Sequence, residues 1–252
     1  MVRVLIIIAV AGFVLAVGCF AGAVALGGPD LLEHGWSIPG ERLVRAGEAR
    51  DAAPTATRDI AWSGGESLEI DLPARVIFTQ ADAAAVTVTG PADLIGRVVL
   101  DNGRLRLTGE GDGETLTIDR HGIRLLDDTD RLSITIAAPS VKRFTLNGSR
   151  DLTIEGYDQD ELALTVNGSG DITARGRAAA IALTLSGSGD ADLGDLAVQN
   201  ADVDVAGSGD ARLSPRGEAR VRISGSGDVT LLTRPTSLSS ETAGSGKVHD
   251  AS

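Results

Sequence analysis

The sequence predicts an all-β protein whose C-terminal half is a parallel β-solenoid, with coils of about 19 residues. A Gly-Ser motif recurs six times in that half, and its first glycines are spaced by 20, 19, 20, 18 and 19 residues. Apolar and polar residues alternate on both sides of each motif, which is the period of a half-buried strand. No segment between residues 60 and 250 sustains the period of a helix. Because so short a unit cannot bury its own apolar side, successive units must stack.

An uncharged segment opens the chain. Residues 4–26 carry no charged side chain, and as a helix they would measure about 34 Å, enough to cross a hydrocarbon core of about 30 Å. Arg3 precedes the segment, and Asp30 and Glu33 follow it, so the positive-inside rule places the rest of the chain outside the cytoplasm. We therefore predict a transmembrane or signal helix within residues 1–28, with the membrane contacted through residues 4–26.

Three fates of this segment are compatible with its sequence. A retained single-pass anchor is the preferred interpretation. A signal peptide could instead be cleaved at Ala21-Gly22-Ala23 or Ala23-Val24-Ala25, or a lipid could be attached at Cys19.

The next two segments differ in regularity. Residues 29–58 are rich in proline and charge, which predicts an extended tether. Residues 59–140 show short alternating runs separated by turn signals, which predicts an irregular N-terminal β region. Asp101-Asn102-Gly103 lies between two apolar runs, and Asn-Gly favours the positive φ angles of a type I′ hairpin.

Residues 141–252 hold the predicted solenoid. Each unit is expected to be a strand, a bend carrying two glycines, and a second strand. The bend glycines fall on the inward parity, which suggests a wall that turns too sharply for an inner side chain. They are Gly168, Gly170, Gly187, Gly189, Gly207, Gly209, Gly225 and Gly227. Residues 236–252 are predicted to be a C-terminal cap, because polar side chains replace aliphatic ones there and discourage end-to-end growth.

The order of these segments resembles a known family. The carriers are the runs GESLEIDLPARVIFTQ, VTVTGP, DNGRLRL and LSITIAAPSVKRFTLNGSRDLTI, followed by the Gly-Ser-Gly-Asp array. Together they resemble the putative auto-transporter adhesin head GIN domain family. The resemblance implies a β-helix-like domain of the bacterial cell envelope, with adhesion or general interaction as its role and no catalytic residues. With the retained anchor it implies a head in the periplasm; the alternatives are a secreted protein or a lipoprotein.

Net charge limits the expected classes of partner, and cysteine content bears on disulfide bonds. The net charge is −12, which opposes binding to nucleic acid or to an anionic membrane surface. Cys19 is the only cysteine and lies in the membrane segment, so no disulfide is expected in the exposed body. The expected partner is an envelope protein or glycan, and no cofactor is predicted.

One metal site is a less favoured hypothesis. Asp171, Asp190, Asp210 and Asp228 would stack at the coil spacing and could form a calcium ladder. The preferred interpretation is a row of turn-forming aspartates that bind nearby backbone N–H groups.

The alternative function is a β-helical polysaccharide lyase or hydrolase, a class that uses paired carboxylates or calcium with a basic residue. His34, His121 and His249 are far apart in sequence, and Tyr157 and Trp62 are too few to make an aromatic platform for sugars. We therefore expect no enzyme activity.

The outward side of the array is the expected interaction surface. Its rows consist of small or charged polar side chains that could bind a protein or glycan. These residues are Thr165, Thr173, Thr184, Ser169, Ser188, Ser208, Ser226, Asp204 and Arg222.

The glycine interpretation yields a direct test. Gly189→Val should be strongly destabilising, because a side chain has no room at the bend, whereas Ser188→Ala should be nearly neutral. Thermal unfolding of both variants measures the difference, and equal melting temperatures would contradict this account.

Overall fold

The computed structural model describes residues 55–108 and 131–251 in full, together with the backbone of four strands outside those ranges. The chain divides into two compact units. The smaller consists of Met1–Ala52 and Gly111–Asp128, and the larger of Ala53–Glu110 and Thr129–Ser252.

The described elements are almost all strands. In chain order they are β1 (Trp36–Pro39), β2 (Val44–Arg45), β3 (Thr55–Ile60), β4 (Ser67–Asp71), β5 (Arg75–Gln80), β6 (Ala85–Pro91), helix α1 (Ala92–Ile95), β7 (Val98–Asp101), β8 (Arg104–Leu107), β9 (Glu114–Asp119), β10 (Gly122–Asp127), β11 (Ser133–Ala138), β12 (Arg143–Gly148), β13 (Leu152–Gly168), β14 (Ile172–Gly187), β15 (Ala191–Gly207), β16 (Ala211–Pro215), β17 (Glu218–Gly225), β18 (Val229–Leu231), β19 (Ser237–Gly244) and β20 (Val248–His249). The all-β prediction is confirmed.

The smaller unit contains one antiparallel sheet in the order β10-β9-β1-β2. Two of its strands, β1 and β2, come from the stretch predicted to be a tether, and the other two come from residues 59–140, the predicted irregular N-terminal β region. The division is invisible in the strand periodicity, because strands of both units alternate alike.

The larger unit is a solenoid with three stretches of parallel pairing in each coil. Three walls are defined by residues of strand β13: the long wall by 161–168, the second wall by 152–154 and the third wall by 157–159, each with its equivalents in other coils. A register shift between Ile154 and Tyr157 separates the second wall from the third. The motif turns Gly148, Gly168, Gly187, Gly207, Gly225 and Gly244 pair in register, so the predicted solenoid is confirmed.

Columns of aliphatic side chains fill the interior. One column runs through Phe144, Leu164, Leu183 and Val203, which pair in register and are at most 1% exposed. Inward residues of successive coils therefore lie one strand spacing apart, about 4.8 Å, and pack on one another. Burial of these columns supplies the main stabilisation of the fold.

The N-terminal region provides the first coil and closes its end. Strand β4 pairs parallel with β12, and β5 pairs parallel with the start of β13. Beyond them lie antiparallel strands, with β7 next to β8 on one side and β3 next to β6 on the other. The predicted hairpin is confirmed, because Asn102 and Gly103 form its two-residue loop with φ angles of 49° and 80°.

Two details of the N-terminal region lie outside the sequence prediction. The single-turn helix α1 joins β6 to β7, and it is too short to leave a periodic signal. Strand β3 begins at Thr55, so residues 55–58 pair with β6 although the predicted tether included them.

The segment predicted to contact the membrane, residues 4–26, lies outside the described residues. Within the described part of the chain, no helix is both long and apolar enough to span a bilayer.

The motif turns explain the paired glycines through contact between coils. The first glycine of each motif has a φ angle between 120° and 148°, which disfavours any side chain. A Cβ at Gly187 would collide with the carbonyl oxygen of Gly168, and one at Gly189 with that of Gly170. The inward parity of the two glycines predicts a crowded interior at both positions. The structure instead buries only the second glycine, and the obstacle is the backbone of the preceding coil.

The C-terminal coil is open. All eight residues of β19 are exposed, although Leu238, Ser240 and Thr242 pair with the inward residues Ala219, Val221 and Ile223 of β17. Inward positions of this last coil therefore face solvent, which accounts for their polar replacements.

A matched pair of leucines tests how burial is distributed. Leu183→Ala should lower the free energy of unfolding by about 2–5 kcal/mol, since Leu183 is 1% exposed and its removal leaves a cavity. Leu238→Ala should cost less than about 1 kcal/mol, because Leu238 is 38% exposed. Urea unfolding of both variants measures this, and equal losses would show that the last coil is covered in solution.

Candidate functional site

The aspartates of the motif form a hydrogen-bonded ladder on the outside of the turns. The Oδ1 atom of each accepts the main-chain N–H of the aspartate in the next coil, with 2.8 Å from Asp171 to Asp190 and 2.7 Å both from Asp190 to Asp210 and from Asp210 to Asp228. The last rung joins Asp228 to the N–H of Lys247 at 2.7 Å. Each carboxylate thus satisfies a backbone donor through a charge-assisted hydrogen bond.

This geometry bears on the calcium hypothesis. The four aspartates stack as the spacing indicated, but one oxygen of each is committed to a backbone N–H group. In residues 55–108 and 131–251, no group of three or more His, Cys, Asp or Glu side chains is placed to hold a metal ion. Calcium titration of the melting temperature remains the direct test of the ladder as a metal site.

The predicted outward rows lie on three different strips of the solenoid. Thr165, Thr184, Asp204 and Arg222 align in one row of the long wall. Thr173 belongs to the second wall. The four motif serines, Ser169, Ser188, Ser208 and Ser226, are exposed along the turns. The structure therefore brings together the long-wall row but does not merge it with the other two strips.

A second ladder borders the long wall. The Nδ2 atom of Asn167 donates to Oδ1 of Asn147 at 2.9 Å, and Nδ2 of Asn147 donates to Oε1 of Glu69 at 3.0 Å. The asparagines therefore link the N-terminal coil to the next two coils.

The third wall carries a groove that the sequence pattern does not predict. It has a volume of about 580 Å³ and crosses several coils, with Lys142, Gln159, Arg177, Ala197 and Arg216 among its lining residues. Small side chains on this wall leave the concavity open. The sequence signal was weak because register shifts beside Tyr157 and Gly176 break the alternation that identifies the other walls.

An ion pair between neighbouring coils lies in the lining of the groove. The guanidinium of Arg177 donates to both carboxylate oxygens of Asp158, at 2.5 and 2.6 Å. This hydrogen bonding lowers the pKa of Asp158 and raises that of Arg177. The pair is exposed to solvent, so it orients the two side chains and contributes little to the free energy of unfolding.

Residues considered for sugar binding or catalysis occupy other places. Tyr157 is 1% exposed, and its hydroxyl donates to the carbonyl of Glu161 at 2.6 Å, so it is a core residue. Burial, reinforced by the nearby charge of Glu161, raises its pKa. Trp62 packs partly buried against the core. Nε2 of His249 lies 3.5 Å from Asp228, while His34 and His121 fall outside the described residues.

Comparison with known proteins assigns the domain. Residues 66–235, more than half of the chain, match the family described as "Putative auto-transporter adhesin, head GIN domain". The chain belongs to this family. The resemblance expected from the motifs is confirmed, and the matched head GIN domain runs from β4 to β18.

A solved structure shares the fold of this head GIN domain. A "putative adhesin" from Bacteroides fragilis is 19% identical, with a TM-score of 0.61 over 79% of this chain and 97% of that chain. A "putative lipid binding protein" from Parabacteroides distasonis is 16% identical, with a TM-score of 0.45 over 79% and 97%. No curated protein matches the chain.

The aspartate ladder predicts unequal effects of two substitutions. Asp190→Ala should lower the free energy of unfolding by about 1–3 kcal/mol, because the N–H of Asp210 loses its acceptor. Asp190→Asn keeps an oxygen at that position and should cost clearly less. Chemical denaturation at neutral pH measures both. Equal effects of the two substitutions would mean that the hydrogen bond contributes nothing.

Proposed function

We propose that this chain is a non-catalytic interaction scaffold of the bacterial cell envelope, tethered to the inner membrane by residues 4–26 with its head domain in the periplasm. The observation that carries the proposal is the long wall. Its outward positions align in register over successive coils and present a flat polar surface on a rigid support. Such a surface suits binding of an extended partner.

Three further observations support this role. The family match is to an adhesin head domain. The uncharged N-terminal segment is long enough to anchor the chain in a bilayer. The net charge of −12 disfavours nucleic acid and anionic lipid surfaces as partners, which leaves envelope proteins and glycans.

The absence of catalysis is part of the proposal, supported by how the polar groups are used. The motif carboxylates accept backbone hydrogen bonds, and Asp158 is paired with Arg177. Catalytic carboxylates in glycoside cleavage face each other across a bond that they protonate and attack. Groups committed to coil stacking serve that purpose poorly.

The experiment is a pull-down with the full chain in mild detergent. Envelope fractions and intact cell-wall glycan serve as baits, and the destabilised Gly189→Val variant serves as a control for unfolded protein. We expect the folded chain to retain an envelope component that the control does not retain. Failure to retain any component, or release of new sugar ends from the glycan, would contradict the proposal.

A further inference from the structure

The groove on the third wall runs along the axis of the solenoid. Gln159, Ala178 and Val198 pair in register, and the N–H of Arg216 donates to the carbonyl of Val198 at 3.1 Å. Gln159 in turn donates from Nε2 to the carbonyl of Val141, the residue before Lys142. Lys142 and Arg216 are thus four coil steps apart, about 19 Å at the strand spacing. A ligand that touches both must be elongated.

The charges in the groove differ from those of the chain as a whole. The described part of the lining carries three cations, Lys142, Arg177 and Arg216, and two carboxylates, Asp158 and Asp160. The net charge of the groove is therefore +1, in a chain of net charge −12. Because Asp158 is engaged by Arg177, it does not neutralise Lys142 or Arg216. Neither of these two cations forms an ion pair with a described carboxylate.

The rest of the lining favours a polar ligand. The lining includes the small side chains Ala178, Ala179 and Ala197, and no aromatic ring is among the lining residues that the structure describes. Stacking and apolar anchoring are therefore weak here. The amide of Gln199 provides hydrogen-bond donors and acceptors beside the cations.

We propose that this groove binds an acidic glycan laid along the solenoid axis, with carboxylates at Lys142 and Arg216 and hydroxyl groups at the intervening polar side chains. The inference rests on the proposed scaffold function and adds a second binding surface, the groove, with an acidic glycan as its ligand class. A guanidinium binds a carboxylate through paired donors, and an ammonium binds it as a point charge. The spacing of the two cations lets a chain of several sugars engage both.

Nucleic acid fits the groove less well. A single strand carries a phosphate about every 3.4 Å and depends on many cations, whereas this groove offers two cations without carboxylate partners. The strongly acidic remainder of the chain would also repel so dense a polyanion.

The test is calorimetric titration of the detergent-solubilised full chain with an oligogalacturonate. The groove variant is K142E/R216E, and the matched control is R212E/R234E, which reverses two exposed arginines outside the lining. We expect the groove variant to bind about tenfold more weakly or worse and the control to bind like wild type. A second variant, Ala197→Trp, fills the groove without changing charge and should also weaken binding. Melting temperatures verify that each variant folds.

Several outcomes would overturn the inference. Equal weakening by both double variants would mean that affinity reflects diffuse charge. Equal affinity for a neutral oligoglucan of the same length would show that carboxylates of the ligand play no role. Equal affinity for polyphosphate or an oligonucleotide would show that the groove does not select a glycan. No binding by wild type would also overturn it. If the groove variant still retains the envelope component in the pull-down, only the groove assignment fails and the scaffold function stands.

Discussion

Close backbone contact between stacked turns is the constraint on which the rest of this structure depends. At each motif the carbonyl of one glycine accepts one or two N–H groups of the next coil, as Gly168 does from Ser188 at 2.9 Å and from Gly189 at 3.2 Å. That carbonyl stands where a Cβ of Gly187 would lie. Glycine is therefore required at this position by the backbone of the preceding coil. The requirement repeats at successive motifs, because each turn packs against the turn of the coil before it. A fold of this kind is stabilised through nearest neighbours, coil by coil.

The aspartate ladder follows from the same turn. The chain turns sharply away from the long wall at the motif, and this turn interrupts the parallel pairing of backbone groups. The N–H of the aspartate position is therefore satisfied by a side chain. A carboxylate one coil away reaches it at 2.7 to 2.8 Å. The structure thus gives the ladder of motif aspartates a role in folding. Lys247 replaces the final aspartate, and only its backbone N–H is needed there to end the ladder.

Sequence periodicity predicted the features that repeat from coil to coil, and it missed the features that interrupt the repeat. The solenoid, the inward columns and the Asn102-Gly103 hairpin were all accessible, because each depends on alternation or on local turn chemistry. The glycine turns were recognised, but their cause was misassigned, since contact between coils twenty residues apart leaves no local signature. The separation of Gly111–Asp128 into another unit was inaccessible because strands of both units alternate alike. The groove was missed because the register shifts at its edge make its lining irregular in sequence.

This contrast bears on where specificity resides. The backbone of the long wall repeats from coil to coil, but its outward row changes from Thr165 and Thr184 to Asp204 and Arg222. Along the groove, likewise, Lys142, Arg177 and Arg216 occur once each at defined heights. A ligand that pairs with charges that occur only once can bind in a single register along the solenoid. A competing ligand without matching groups leaves those charges unpaired. The regular coils then act as the rigid frame that holds irregular side chains at fixed separations, so recognition is expected where the repeat is imperfect.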